Sequence, residues 1–389
     1  MINLSNKRFF AALIAVLGIS AFATLRSQTH PDMVRNVLLG GYGGLLLVAV
    51  CGGISISKEA WLLAIASAAQ AIGYFKTEDT MDVLMPLQVA LQTIVIVGLL
   101  PQLIDETVNL RMIMVGLLAL AAVNYRASQG RYEIDLLADN RFYSNMIGGY
   151  GMLFAVIGFC LTDWTGMICL TVGGIILMLT SSRSAILGTI VGCGISAVFR
   201  YHHFDRKFIR FNMLALLCFP LIAYEGWNRL NEEGRESVRM QIEHALSPDI
   251  ARAEKFNPAI AAGLESPWLG LGVYTSTSAD AHNVWLAAFE GGGVLSFIFL
   301  IYAQFAVFQK LFLGRKEFWG CLSLAWFVAV LARSMFEGGT GVFSATGTNW
   351  TAVCTMFTVG LGLRLRPEEA WWYRRWIAKQ KMESTSECH

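Results

Sequence analysis

Three short polar clusters interrupt a chain that otherwise avoids charge, and their residue types suit holding an anion and removing a proton. The first is Thr180-Ser181-Ser182-Arg183-Ser184, set between two apolar runs with almost no connecting chain. So short a turn places Arg183 at the head of the next helix, where free backbone N–H groups and the helix dipole favour an anion. The same placement suits an arginine that closes the turn and snorkels its charge to water. The second is Arg252 in Ala251-Arg252-Ala253-Glu254-Lys255-Phe256, followed fifteen places later by Pro267. On its own, an arginine in an exposed connection reads as a solvated charge. The third is Ala281-His282-Asn283-Val284-Trp285, opening an apolar run in which Glu290 follows two turns on. A neutral imidazole there can accept a proton from an alcohol. The alternative is a polar helix start with Asn283 or Asp280 as its cap. Two arginines and a histidine on one face suit a substrate that carries a diphosphate and needs one hydroxyl deprotonated. Arginine's planar fork matches phosphate oxygens in pairs. Ser182, Asn283 and Arg141 are the supporting candidates.

The elements that must position these residues are apolar helices. Segments long enough to approach the roughly 20 residues of a membrane span fall at about 9–25, 36–55, 60–75, 83–103, 111–124, 143–161, 165–181, 184–199, 211–225, 283–308, 317–335 and 348–363. The expected architecture is therefore an all-α polytopic membrane protein of about twelve transmembrane helices, with residues 1–389 forming one integral domain. The composition agrees: the chain is 55% hydrophobic and only 15% charged, with mean hydropathy +0.52. Soluble domains average nearer a quarter charged. One connection, residues 226–281, is far longer than the rest and joins helices nine and ten. Within it, Glu232 to Leu246 reads as an amphipathic helix with Val238, Ile242 and Leu246 on one stripe, stopped by Pro248. A second short helix starts near Asp249, and Ser266-Pro267-Trp268-Leu269-Gly270-Leu271-Gly272 makes a turn. The tail, 365–389, carries Trp371, Trp372, Tyr373, Arg374, Arg375 and Trp376, and reads as an interfacial helix on the inner leaflet.

Basic residues set the expected orientation. With the N-terminus inside, 17 of the 30 lysines and arginines fall on the inward side. Of the other 13, five lie in the long connection, so the short-loop comparison is 17 against 8. Both termini then face the cytoplasm, and the three polar clusters face outward. Glu78, Asp79 and Asp82 gather on that outer side. Ala21-Phe22-Ala23, after Lys7 and Arg8, resembles a signal-peptidase site, but the many later spans favour a retained first helix.

Several function classes are disfavoured. There is no GxxxxGK[ST] loop for ATP, and no run of charged residues inside the spans such as proton relays use. The eight cysteines form no CxxC pair. Asp79, Asp82, Asp135 and Asp139 lack metal-ligand spacing, so neither a metal nor another cofactor is expected. The net charge of +2 is divided between two membrane faces and implies no nucleic-acid partner.

Taken together, Leu179-Thr180-Ser181-Ser182-Arg183-Ser184-Ala185-Ile186-Leu187, the Arg252-to-Pro267 segment ending in Leu269-Gly270-Leu271-Gly272, and His282-Asn283 followed by Gly291-Gly292-Gly293 resemble the O-antigen ligase and polymerase superfamily of Gram-negative bacteria. Arg183 with Leu187, and His282 and Asn283 with Gly293, meet the family's spacing, whereas Ser296 stands where a later glycine is usual. The resemblance implies a metal-independent glycosyltransferase of the bacterial inner membrane with its site in the periplasm. It further implies an undecaprenyl-diphosphate-linked glycan as donor, Arg183 and Arg252 as diphosphate contacts and His282 as base. A ligase uses the lipid A–core oligosaccharide as acceptor, and is the expected activity; a polymerase uses a second lipid-linked repeat unit. A lipid-linked oligosaccharide flippase shares the span number, but calls for polar residues through the middle of the bundle.

Overall fold

The computed structural model describes residues 4–26, 31–104, 109–128, 141–161, 163–180, 182–201, 250–273, 283–336 and 350–364, with 210, 214, 224–225, 228, 232, 235–236 and 239. Described residues form helices and turns only, as a lipid solvent demands: a spanning segment must satisfy its own backbone N–H and C=O groups. The helices are α1 (Leu4–Arg26), α2 (Pro31–Cys51), α3 (Lys58–Ala68), α4 (Met81–Thr93), α5 (Leu110–Ser128), α6 (Arg141–Cys160), α7 (Trp164–Thr180), α8 (Arg183–Tyr201), α9 (Ile250–Glu265), α10 (Val284–Leu313), α11 (Phe318–Ser334) and α12 (Trp350–Leu363). Helix α3 continues through a 3₁₀ segment, Ala69–Gly73, and one further turn, Tyr74–Thr77. Helix α4 continues through a fully buried π-helical stretch, Ile94–Leu99, and the 3₁₀ turn Leu100–Leu103.

Eleven of the apolar segments expected from the sequence thus coincide with described helices. Those near 211–225, the amphipathic helix proposed for Glu232–Leu246 and the tail 365–389 lie outside the described residues, isolated positions excepted. Three helical stretches, Met33–Cys51, Met81–Leu103 and Val284–Leu313, are long and apolar enough to cross a membrane. Six shorter apolar helices accompany them. Large apolar side chains on their outer faces are bare: Leu47, Val48 and Ile190 are 64%, 69% and 64% exposed. In water such surfaces would drive aggregation; in lipid they cost nothing.

Antiparallel neighbours put helix ends into two sets. At one end, Arg111 at the start of α5 pairs with Asp163 before α7 at 3.1 Å and lies over the Phe318 ring at the start of α11. The other end gathers the start of α6, the α7–α8 turn, the start of α10 and the end of α11. Tight contacts fix the heights of these helices. A Cβ on Gly188 of α8 would stand 2.7 Å from the Ala329 carbonyl oxygen of α11, and one on Gly192 would stand 3.0 Å from that of Ala325. Between α6 and α7, Gly151, Gly158, Gly166 and Gly173 likewise leave no room for a side chain. Small residues are what let helix backbones approach within a membrane.

Helix α10 departs from the straight tenth span that the sequence suggested. Gly293 has φ +69°, which breaks the helix into Val284–Gly292 and Val294–Leu313. The break is sharp. Trp285 Nε1 donates to Gln304 Oε1 at 2.8 Å across 19 positions, which a straight helix would separate by about 28 Å. Val294–Leu313 alone supplies the roughly 20 residues of a span, and Val284–Gly292 is a half-helix folded back at its head. The expected turn 266–272 fills the break. Leu271 N–H donates to the Glu290 carbonyl at 2.7 Å, Gly272 N–H to that of Gly291 at 3.0 Å, and Val294 N–H to that of Pro267 at 2.7 Å. Gly73, in the 3₁₀ continuation of α3, abuts Gly291 and Gly272 from the other side.

The segment before that turn also differs from expectation. Instead of a short helix, α9 runs 16 residues from Ile250 to Glu265 and passes through Pro258. Of Glu78, Asp79 and Asp82, Asp82 is buried and accepts a hydrogen bond from Thr77 Oγ1 at 2.6 Å.

Candidate active site at one end of the bundle

The turn between α7 and α8 is built as the sequence suggested. Ser182 caps α8, its carbonyl accepting from Ile186 N–H at 2.9 Å, and Arg183 is the first helical residue, half-buried. The Ser182 and Ser184 hydroxyls lie 3.3 Å apart and are buried. Ser182 sits directly against α6: a Cβ on Gly148 would come within 2.5 Å of the Ser182 Cβ and 3.2 Å of the Thr180 hydroxyl. This glycine is what allows the turn to settle into the bundle.

At the head of α10 the capping alternative holds for Asn283. With extended backbone (φ −150°), its Oδ1 accepts from Trp285 N–H at 2.9 Å and Leu286 N–H at 3.0 Å. Its Nδ2 donates to the Met335 carbonyl at the end of α11, 3.1 Å away. The supporting role expected of Asn283 is therefore structural and double: it starts the half-helix and ties it to α11. His282 lies outside the described residues, immediately before this cap. Arg252 falls in the first turn of α9 and Arg141 is the first residue of α6. Neither side chain is among those described.

Sequence reading passed over one residue at this end. Arg333, in the last turn of α11, is 2% exposed, and its guanidinium occupies the space beside Gly149 where a Cβ would otherwise stand. Two signals for it were present: the lone charge in a 17-residue apolar helix, and the Gly148-Gly149 pair on α6.

Chemically, Arg183 at the N-terminus of α8 is suited to an anion. Among the described residues no group of three or more His, Cys, Asp or Glu side chains could hold a metal ion.

A helical bundle with lipid-compatible outer faces and polar helix heads collected at one end defines a multi-pass membrane protein. Residues 167–301 match the family model described as O-antigen ligase (Wzy_C). No curated protein matches the chain.

Proposed function

We propose that this protein is an O-antigen ligase, transferring a glycan from undecaprenyl diphosphate to the lipid A–core oligosaccharide at the periplasmic face of the inner membrane. One observation carries the reading. The family match, 167–301, runs through the head of α8 with Arg183, the first turn of α9 with Arg252 and the His282-Asn283 head of α10. Arg183 and Arg252 hold the diphosphate by paired, charge-assisted hydrogen bonds. The acceptor hydroxyl attacks the anomeric carbon, the bond from that carbon to the diphosphate oxygen breaks, and undecaprenyl diphosphate leaves. His282 takes the hydroxyl proton. In this reading the arginines meet the charge of the leaving group without a divalent metal. Both termini are cytoplasmic, following the basic residues at the Arg111 end.

Polymerisation of lipid-linked repeat units would use the same donor chemistry and differ only in acceptor. The lipopolysaccharide banding of a strain lacking this protein separates the two. Loss of every ladder band is the result expected of a ligase, whereas a persisting band of core plus one repeat unit would make the protein a polymerase.

A further inference from the structure

We propose that Arg333 is a positioning residue of this site: its buried guanidinium, seated against α6 at Gly149, holds a fixed positive charge close to the segment that ties down the α10 half-helix, and so favours the diphosphate. The inference rests on the glycosyl-transfer reading above and adds a residue to it.

One contact seats Arg333, and two others place the chain around it. Helices α8 and α11 are antiparallel, and their close pairs are Gly192 with Ala325 and Gly188 with Ala329. Stepping one more turn along each helix brings Ser184 opposite Arg333. On the α6 side, Gly148 receives Ser182 and the adjacent Gly149 receives the Arg333 guanidinium. The arginine and the α7–α8 turn therefore occupy successive seats on one helix. On the α10 side, Asn283 Nδ2 donates to the Met335 carbonyl, two residues beyond Arg333. The segment 333–335 thus lies between the residue that caps α8 and the residue that caps the half-helix. Arg183 follows the first cap and His282 precedes the second.

An arginine in a membrane helix is costly to bury and is retained where it serves a site or a pair. A spacer alone would not need the charge, since an apolar side chain of similar length fills the same groove. A charge in a low-dielectric setting also acts over several ångströms, so Arg333 can favour a diphosphate above it without touching it.

The test is the affinity of the purified, full-length protein for farnesyl diphosphate in detergent, with the thermal unfolding temperature measured on each variant. The parent chain is expected to bind, Arg333→Gln to bind about tenfold more weakly, and Arg333→Lys, which keeps the charge, to stay within about threefold. Gly149→Ala, which leaves the charge but intrudes on its seat, is expected to weaken binding as well. Equal affinity in the parent and Arg333→Gln would overturn the inference. So would equal weakening in the glutamine and lysine variants, because that pattern marks a structural role without use of the charge. Absence of binding by the parent chain would instead remove the diphosphate reading itself, and this inference with it.

Discussion

The two ends of the bundle treat their cations differently. At the Arg111 end three described arginines are tied off locally. Arg111 pairs with Asp163 at 3.1 Å, Arg315 lies over the Phe312 and Phe199 rings at 4.0 and 5.5 Å, and Arg364 donates to the Ile104 carbonyl at 2.6 Å. These contacts close helix ends and can be explained without a ligand. At the Arg183 end, arginines stand at helix heads, where backbone N–H groups already present positive charge. Arg333 differs from them: it stands in the last turn of α11 and is buried. The contrast teaches that number of charges is a poor guide here. Among the described arginines three stand at the first end, but Arg183 is placed at a helix head where like partial charges meet, which makes sense around an anion.

Substitutions should expose this asymmetry. The largest expected effect is at His282: replacement by alanine should lower turnover about 10²–10⁴-fold, while donor affinity changes far less. Single-turnover transfer, measured beside donor binding, checks it; lost affinity with preserved turnover at saturation would make His282 a phosphate ligand instead. Next come Arg183→Ala and Arg252→Ala, each expected to reduce transfer by about tenfold or more, with lysine restoring only part. Transfer assays on membranes with matched protein levels decide the point, and full activity in both variants would remove their role. Gly293→Ala addresses the scaffold beneath. Its φ of +69° and the carbonyl carbon of Trp268 only 2.6 Å from a new Cβ should cost about 1–3 kcal/mol, seen as a lower unfolding temperature in detergent. The smallest effect belongs to the opposite end. Arg111→Ala breaks an ion pair whose side chains are 46% and 40% exposed, so stability should change by less than about 1 kcal/mol and transfer not at all. A loss of transfer there would break the distinction between the two ends.

Hydropathy alone placed most helices well. The expected 111–124, 143–161 and 184–199 became Leu110–Ser128, Arg141–Cys160 and Arg183–Tyr201. Membrane helices are legible in this way because lipid imposes the same requirement on every residue of a span. The α7–α8 turn was legible too, since a serine cap before an apolar run has a local cause. What escaped was non-local. Val284–Phe289 and Val294–Leu300 are largely apolar, so averaging over a span-length window carries the profile through Glu290–Gly293, and the Trp285–Gln304 contact reveals the fold-back. Arg333 drew no notice at the end of an apolar segment. Its burial follows from Gly149, which is far away in sequence, and no pattern within α11 encodes that neighbour.

The filled break in α10 also bears on how the chain is made. Val294 N–H, exposed by the turn at Gly293, finds its acceptor in the Pro267 carbonyl, and the carbonyls of Glu290 and Gly291 find donors in Leu271 and Gly272. All three partners leave the ribosome before the residues that need them. The segment that plugs the gap is therefore already synthesised when Val294–Leu313 is threaded into lipid, and the backbone groups at the break need not wait for a later helix to be satisfied. Gly73, from the 3₁₀ continuation of α3, is older still. Order of synthesis and order of need coincide at this break, where the membrane would punish a delay.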